Sequence, residues 1–284
     1  MTSNNLQEIF NALKKSDFLK FRDLHSSLPG YKTCITRNDL ISLFHNEMNK
    51  KQASVLKIYL TSKPKDYVSL IKRISQQFLN GYQPQVHEDH DLMNPIRELY
   101  IFSLLFGRSE LAMYLVDLLP HQLAAALFGT YVCQQILEYQ KDNWLLKDAH
   151  DRARALKDDL EKKAIEYLIQ CYKKNYEKTK NLLTCELIEY ASESCFMYAI
   201  KANDIEFVNS SPFLEIYSMK FRGNLSATWI EVTLASIFPF LVSLDYGKIK
   251  SDLVDQLSYQ PCCPAITAIQ MFYRNPRVKF AECL

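Results

Sequence analysis

Two imidazoles and three carboxylates stand together at His87-Glu88-Asp89-His90-Asp91, the most site-like string in the sequence. Divalent metals accept such ligands. The string falls inside a polar stretch, Asn80 to Pro95, that holds two prolines and one glycine and reads as a loop. It also lacks the helical His-Glu-x-x-His register that supports zinc hydrolysis. The sequence therefore favours a solvated charged loop over a metal site. The adjacent thiols Cys262-Cys263 raise the question of redox chemistry. They are not a Cys-x-x-Cys pair and have no βαβ context, so they read as buried or idle thiols. No Gly-rich phosphate loop, Gly-x-Ser-x-Gly elbow or dinucleotide fingerprint occurs. Serines, histidines and aspartates are plentiful, but no spacing singles out a triad. No catalytic, cofactor-binding or metal residue is assigned, and the expectation is a protein that is not an enzyme and needs no cofactor.

The elements that would have to position any such chemistry are helices. Only six glycines occur in 284 residues, fewer than sandwiches, barrels or phosphate cradles use. Hydrophobic residues make up 48% and charged residues 23%, which is ordinary globular usage. The 34 basic and 32 acidic residues leave a formal charge of +2, too little field for a nucleic-acid partner. Short basic stretches (Lys14-Lys15, Lys50-Lys51, Lys173-Lys174) read as solvated helix faces rather than phosphoinositide contacts. Eight cysteines follow no framework spacing, and the first residues lack the form of a signal peptide, so a reduced cytosolic compartment is expected. No run reaches the roughly 20 apolar residues of a membrane-crossing helix. Ile230 to Leu244 comes nearest but carries Glu231 and Pro239; a buried core helix and a membrane-surface helix both fit it.

Apolar residues recur at helical steps throughout, as in Leu6, Ile9, Phe10 and Leu13, or Leu99, Phe102, Leu105 and Phe106. From Asp148 to Leu183 no proline or glycine intervenes. There Ala153, Leu156, Leu160, Ala164, Leu168 and Cys171 form one stripe, with Arg152, Lys157, Asp158, Glu161, Lys162 and Lys173 opposite, predicting a long amphipathic helix. Strand-like alternation is missing, so the fold class is all-α.

Three segments resemble one another: Ala12 to Phe21, Ser103 to Ala112, and Ala199 to Val208. In each, a small residue and an aliphatic end one helix. A polar corner follows (Ser16-Asp17, Gly107-Arg108-Ser109, Asn203-Asp204), and a second amphipathic helix begins. The copies lie about ninety residues apart, so the expected architecture is irregular, ankyrin-like helical-hairpin repeats separated by other helices. Lys63-Pro64-Lys65, the 80–95 loop, Ser210-Ser211-Pro212 and Gln260 to Pro264 punctuate the chain. The expected division is an N-terminal helical-repeat segment over 1–92, a segment carrying the long helix over 93–222, and a helical tail over 223–284.

The stretch Glu98-Leu99-Tyr100-Ile101-Phe102-Ser103-Leu104-Leu105-Phe106-Gly107-Arg108-Ser109-Glu110-Leu111-Ala112 resembles a landmark of melastatin-type transient receptor potential (TRPM) channels, of the form E-L-hydrophobic-I-W-A-V-L-x-x-R-x-E-L-A. Leu70 to Ile74 with Leu79-Asn80-Gly81-Tyr82 is similar to a family turn upstream. Ala164 to Lys173 resembles its A-hydrophobic-E-L-L-x-x-C-Y helix, and Leu182 to Leu187 its L-L-T-x-E-L signature. Cys195 and Phe207-Val208 fit the pattern that follows, and Phe272 to Phe280 resembles the stretch that leads into the family's first membrane helix. Phe102 replaces the usual Trp, Phe221-Arg222-Gly223 stands where the family has Trp-x-Gly, and Arg277 takes an apolar position.

The resemblance implies a cytoplasmic, non-catalytic part of a calcium-permeable cation channel. It would serve subunit assembly and coupling of ligand signals to the pore, with other channel subunits as partners in a homo-tetramer. It would lie at the cytoplasmic face of a membrane, with residues 229–246 at the inner surface and Trp229 and Tyr246 as interfacial anchors. The family's ligands bind outside this stretch, so no site residue is transferred. The alternative is a free-standing helical adaptor that binds channel subunits or other proteins.

Overall fold

Caps decide where these helices begin. The computed structural model describes residues 3–26, 35–50, 56, 59–60, 66–85, 94–140 and 147–222. Twelve α-helices lie within them, so the all-α class holds. The first two are α1 (Ser3–Lys15) and α2 (Phe18–Ser26). Thr36 and Asp39 form a reciprocal capping box that starts α3 (Arg37–Asn49), each side chain taking the other's backbone N–H. Asp66 caps α4 (Tyr67–Phe78), and Asn94 with Pro95 at the first position opens α5 (Pro95–Leu105). Then come α6 (Ser109–Leu118), α7 (Gln122–Gln140) and the 28-residue α8 (Lys147–Lys174).

The stretch expected to continue to Leu183 instead breaks at Asn175, whose side chain accepts from Lys178 N at 2.8 Å and caps α9 (Tyr176–Thr184). A two-residue antiparallel ladder pairs β1 (Glu186–Leu187) with β2 (Glu193–Ser194). The chain then runs through α10 (Cys195–Lys201), α11 (Ile205–Val208) and α12 (Ser211–Arg222). Contacts gather Met1–Phe221 into one unit and Arg222–Leu284 into a second.

The centre of the first unit is α7. Leu123 to Phe128, Val132 and Cys133 are buried around its whole circumference, which is how a helix surrounded by others reads. Its main partner is α8, which turns Ala153, Leu156, Leu160, Ala164 and Leu168 inward as the stripe predicts. Burying each of those leucines is worth about 1.5–3 kcal/mol. Gly129 marks the closest approach: a Cβ there would stand 2.2 Å from Tyr100 Oη and 2.9 Å from Leu160 Cδ1. Tyr100 in turn donates to Ala125 O at 2.9 Å, binding α5 to α7. Phe128 packs its ring against Tyr82, Tyr190 and Tyr198, with centroids 5.4 to 6.1 Å apart, and so gathers four chain segments.

The three similar segments share one backbone corner. Ser16, Gly107 and Asn203 all lie in the left-handed region, with φ of 59°, 62° and 54°. In each, the next residue's N–H reaches back five residues, Asp17 to Ala12 O, Arg108 to Ser103 O and Asp204 to Ala199 O, at 2.9 to 3.1 Å. The left-handed residue itself bonds three residues back, to Leu13, Leu104 and Ile200. This is the Schellman termination, and the small residue of each segment is the acceptor at its base. Asp17 and Asp204 then cap the following helix through Oδ1, at 3.0 Å to Lys20 N and 2.9 Å to Phe207 N. Arg108 offers α6 no side-chain cap.

Candidate functional site

Of the sequence motifs that could do chemistry, His87 to Asp91 and Cys262-Cys263 lie outside the described residues, as does the apolar run Ile230 to Leu244. Among the described residues no three His, Cys, Asp or Glu side chains gather as a metal would require. Cys133, Cys171, Cys185 and Cys195 are free thiols. Burial pushes Cys133 and Cys195 up to about 12, which keeps both protonated and unreactive. Cys171 is half-buried, while Cys185 at the end of α9 is exposed rather than packed.

The structure instead gathers charge at two centres, one buried and one partly exposed. The first is built on adjacent residues of α5, Arg97 and Glu98, with side chains 1% and 0% exposed. Tyr67 of α4 donates to Glu98 Oε2 at 2.7 Å, and Tyr82 donates to Oε1 in a short bond. Arg97 Nε donates to Tyr82 Oη at 3.1 Å, and its Nη2 to Gln85 Oε1 at 3.1 Å. Its Nη1 faces Glu189 Oε2 at 3.8 Å. Burial pushes the Glu98 carboxyl above the ordinary carboxylate range, against the two tyrosine hydrogen bonds and Arg97, which pull it down. Burial, with the Glu98 charge second, pushes both tyrosines well above their usual range, so they remain donors.

The second centre is Arg108, which leaves its own corner to seal the first. Its Nη1 donates to Leu13 O at 2.9 Å and its Nη2 to Ser16 Oγ at 3.0 Å, while Glu47 of α3 accepts a short charged bond. Lys50 joins the same group, donating to Ser16 Oγ at 2.8 Å and to Glu47 Oε1 at 2.5 Å. The guanidinium also lies over the Phe102 ring, 4.9 Å from its centroid. Beside it, between the two corners, runs a cleft of about 220 Å³ lined by Ala12, Asp17, Phe18, Phe21, Ser109 and Leu111 among others. Both centres hold helices together; neither places a nucleophile, a base and an open position side by side.

Such a body is an all-helical unit braced by charged side chains. Its family is plain from comparison: residues 1–210 match the TRPM2-like domain, and the chain belongs to that family. It is 24% identical over 191 residues to "Transient receptor potential cation channel subfamily M member 2" of Mus musculus, covering 66% of this chain and 12% of that protein. It is 24% identical over 228 residues to "Transient receptor potential cation channel trpm" of Drosophila melanogaster, covering 79% of this chain and 11% of that protein. For subfamily M member 7 of Homo sapiens the identity is 24% over 162 residues, 56% of this chain and 9% of that protein. The chain thus spans about a tenth of the length of these channel relatives. No helix among the described residues is long and apolar enough to cross a membrane.

Sequence reasoning assigned no site residue, and both charged centres escaped it. A signal was nevertheless present: the landmark's E-L…R-x-E-L-A pattern carries Glu98, Arg108 and Glu110, and the first two flank its apolar run. Charges that flank an apolar run must be paired if they are buried, and Glu98 and Arg108 are the residues on which the two centres are built.

Proposed function

We propose that this chain is a non-catalytic, cytoplasmic part of a TRPM-type, calcium-permeable cation channel, where it assembles subunits and carries ligand signals mechanically toward the pore. The carrying observation is the cross-bracing: Arg97–Glu98 ties α4, α5 and the turn at Glu189, and Arg108 ties the first hairpin to the second. A body braced this way displaces as one piece, because its buried charges resist separation, and a body that moves as one piece transmits a push. Partner subunits would engage the outer helix faces within a homo-tetramer, and residues 229–246 would lie at the inner membrane surface. The second reading, a free-standing adaptor that binds channel subunits, rests on the same braced body without the pore.

Affinity capture of the tagged 284-residue chain from cells expressing a TRPM channel, followed by patch-clamp of those cells, tests both. Co-purification with channel subunits and an altered current support engagement with the channel. Recovery as a monomer, with the current unchanged, would overturn both readings. A native band near the 33.1 kDa of this chain in the aqueous fraction would select the adaptor; a detergent-dependent band several times larger would select the channel part.

A further inference from the structure

The three corners share a backbone but not an environment. Asp17 caps α2 at the surface, whereas Asp204, at the equivalent place in the third hairpin, is a residue only 1% exposed. One carboxylate oxygen, Oδ1, caps Phe207 N at 2.9 Å. The other, Oδ2, is fully buried and has no hydrogen-bond partner among the described residues. An ionised carboxylate left half-solvated by protein is costly, because the second oxygen loses water without gaining a donor.

We infer that Asp204 is an acid-tightened latch: protonated, it seats the third hairpin firmly on α8, and ionised, it loosens that seat. Packed against α11 are α8, α10 and, through Phe213 on the Phe207 ring, α12, none of whose charged groups acts on Asp204. From α8 the Asp204 carboxyl faces Glu161, which repels its negative charge, and Lys157, which favours it. Lys157 is already committed to Glu161, at 2.5 Å. On α11 itself Glu206 adds a second repulsion. From α10, Lys201 is bound to Glu193 and to Asn80 Oδ1, Tyr198 Oη donates to Tyr190 O at 2.7 Å, and Cys195 is a buried neutral thiol. Burial first, and Glu161 among the charges, lift the carboxyl to about 6. The folded value exceeds the ordinary unfolded one near 4. The latch is therefore fully closed below about pH 4 and is released as pH rises through about 6.

Amide hydrogen exchange of the full chain between pH 4 and 8 tests this, read at Phe207 and Val208 after correction for intrinsic exchange. Their opening equilibrium should rise by up to about tenfold per pH unit between pH 4 and 6, then level off. Asp204→Asn keeps a capping oxygen and removes the charge, so its profile should be flat and protected as in acid. Glu161→Gln should move the midpoint to lower pH, and this second variant decides the matter if Asp204→Asn fails to fold. A flat wild-type profile, a slope that survives in Asp204→Asn, or a midpoint unmoved in Glu161→Gln would each overturn the latch.

Discussion

Glu98 shows how far a single side chain departs from what its letter suggests. A glutamate in the first turn of a helix is ordinarily a solvated complement to the helix dipole. Here it is buried among two tyrosines and an arginine. Glu98→Ala takes the acceptor from two phenolic hydroxyls and leaves the half-exposed Glu189 as the remaining carboxylate facing Arg97. Breaking a buried charged group of this kind costs about 3–5 kcal/mol. Tyr67→Phe removes one hydrogen bond and keeps the ring, so its cost should be about 1–2 kcal/mol. Urea denaturation followed by circular dichroism separates the two: equal losses would mean that the centre is held by packing rather than by charge. Little of this was legible beforehand. Burial is set by helices that arrive from far along the chain, and a residue's letter carries no record of which neighbours will cover it.

At the scale of elements the sequence was far more informative, because helix and corner signals are local. The stripe from Ala153 to Leu168 predicts which face of α8 turns inward, and the small-aliphatic-polar pattern marks all three left-handed corners. The break at Asn175 was not foreseen. Without proline or glycine the run from 148 to 183 looked continuous, but an asparagine side chain competes for backbone N–H groups and starts a new helix where the fold needs a bend.

Two glycines sharpen the distinction between local and tertiary demands. Gly107→Ala meets only ordinary contacts, Arg152 Cβ at 3.5 Å, but must hold φ at +62°, so it should cost about 1–2 kcal/mol through the backbone alone. Gly129→Ala gains about 1 kcal/mol of helix propensity. It also forces Tyr100 and Leu160 out of their places, which costs about 1–3 kcal/mol, and repulsion should win. Thermal melts of the two variants check this. A stabilised Gly129→Ala would show that α7 and α8 can part without loss.

For the whole molecule, the all-α class and the channel family were both readable, the first from composition and periodicity and the second from motifs in series. The cross-bracing was not, since it depends on pairs far apart in sequence. Arg108 and Leu13 are separated by 95 positions. Arg108→Ala should therefore act at a distance. It removes bonds to Leu13 O, Ser16 and Glu47 at once, at a cost of about 2–4 kcal/mol. Hydrogen exchange should rise at the α1–α2 corner as well as around residue 108. A rise confined to residue 108 would mean that the two hairpins are held together by apolar contact alone.

The Arg108 bridge also sets an order of events during synthesis. The first hairpin emerges before the second, with its corner carbonyl at Leu13 and the Ser16 hydroxyl still open to water. Translation adds about 5–20 residues each second, so those groups wait several seconds for the guanidinium that closes them. Until Arg108 has left the ribosome the first of these hairpins is an unsealed joint, exposed to chaperones and proteases, and any mistake at the second corner is felt first as a failure to finish the first.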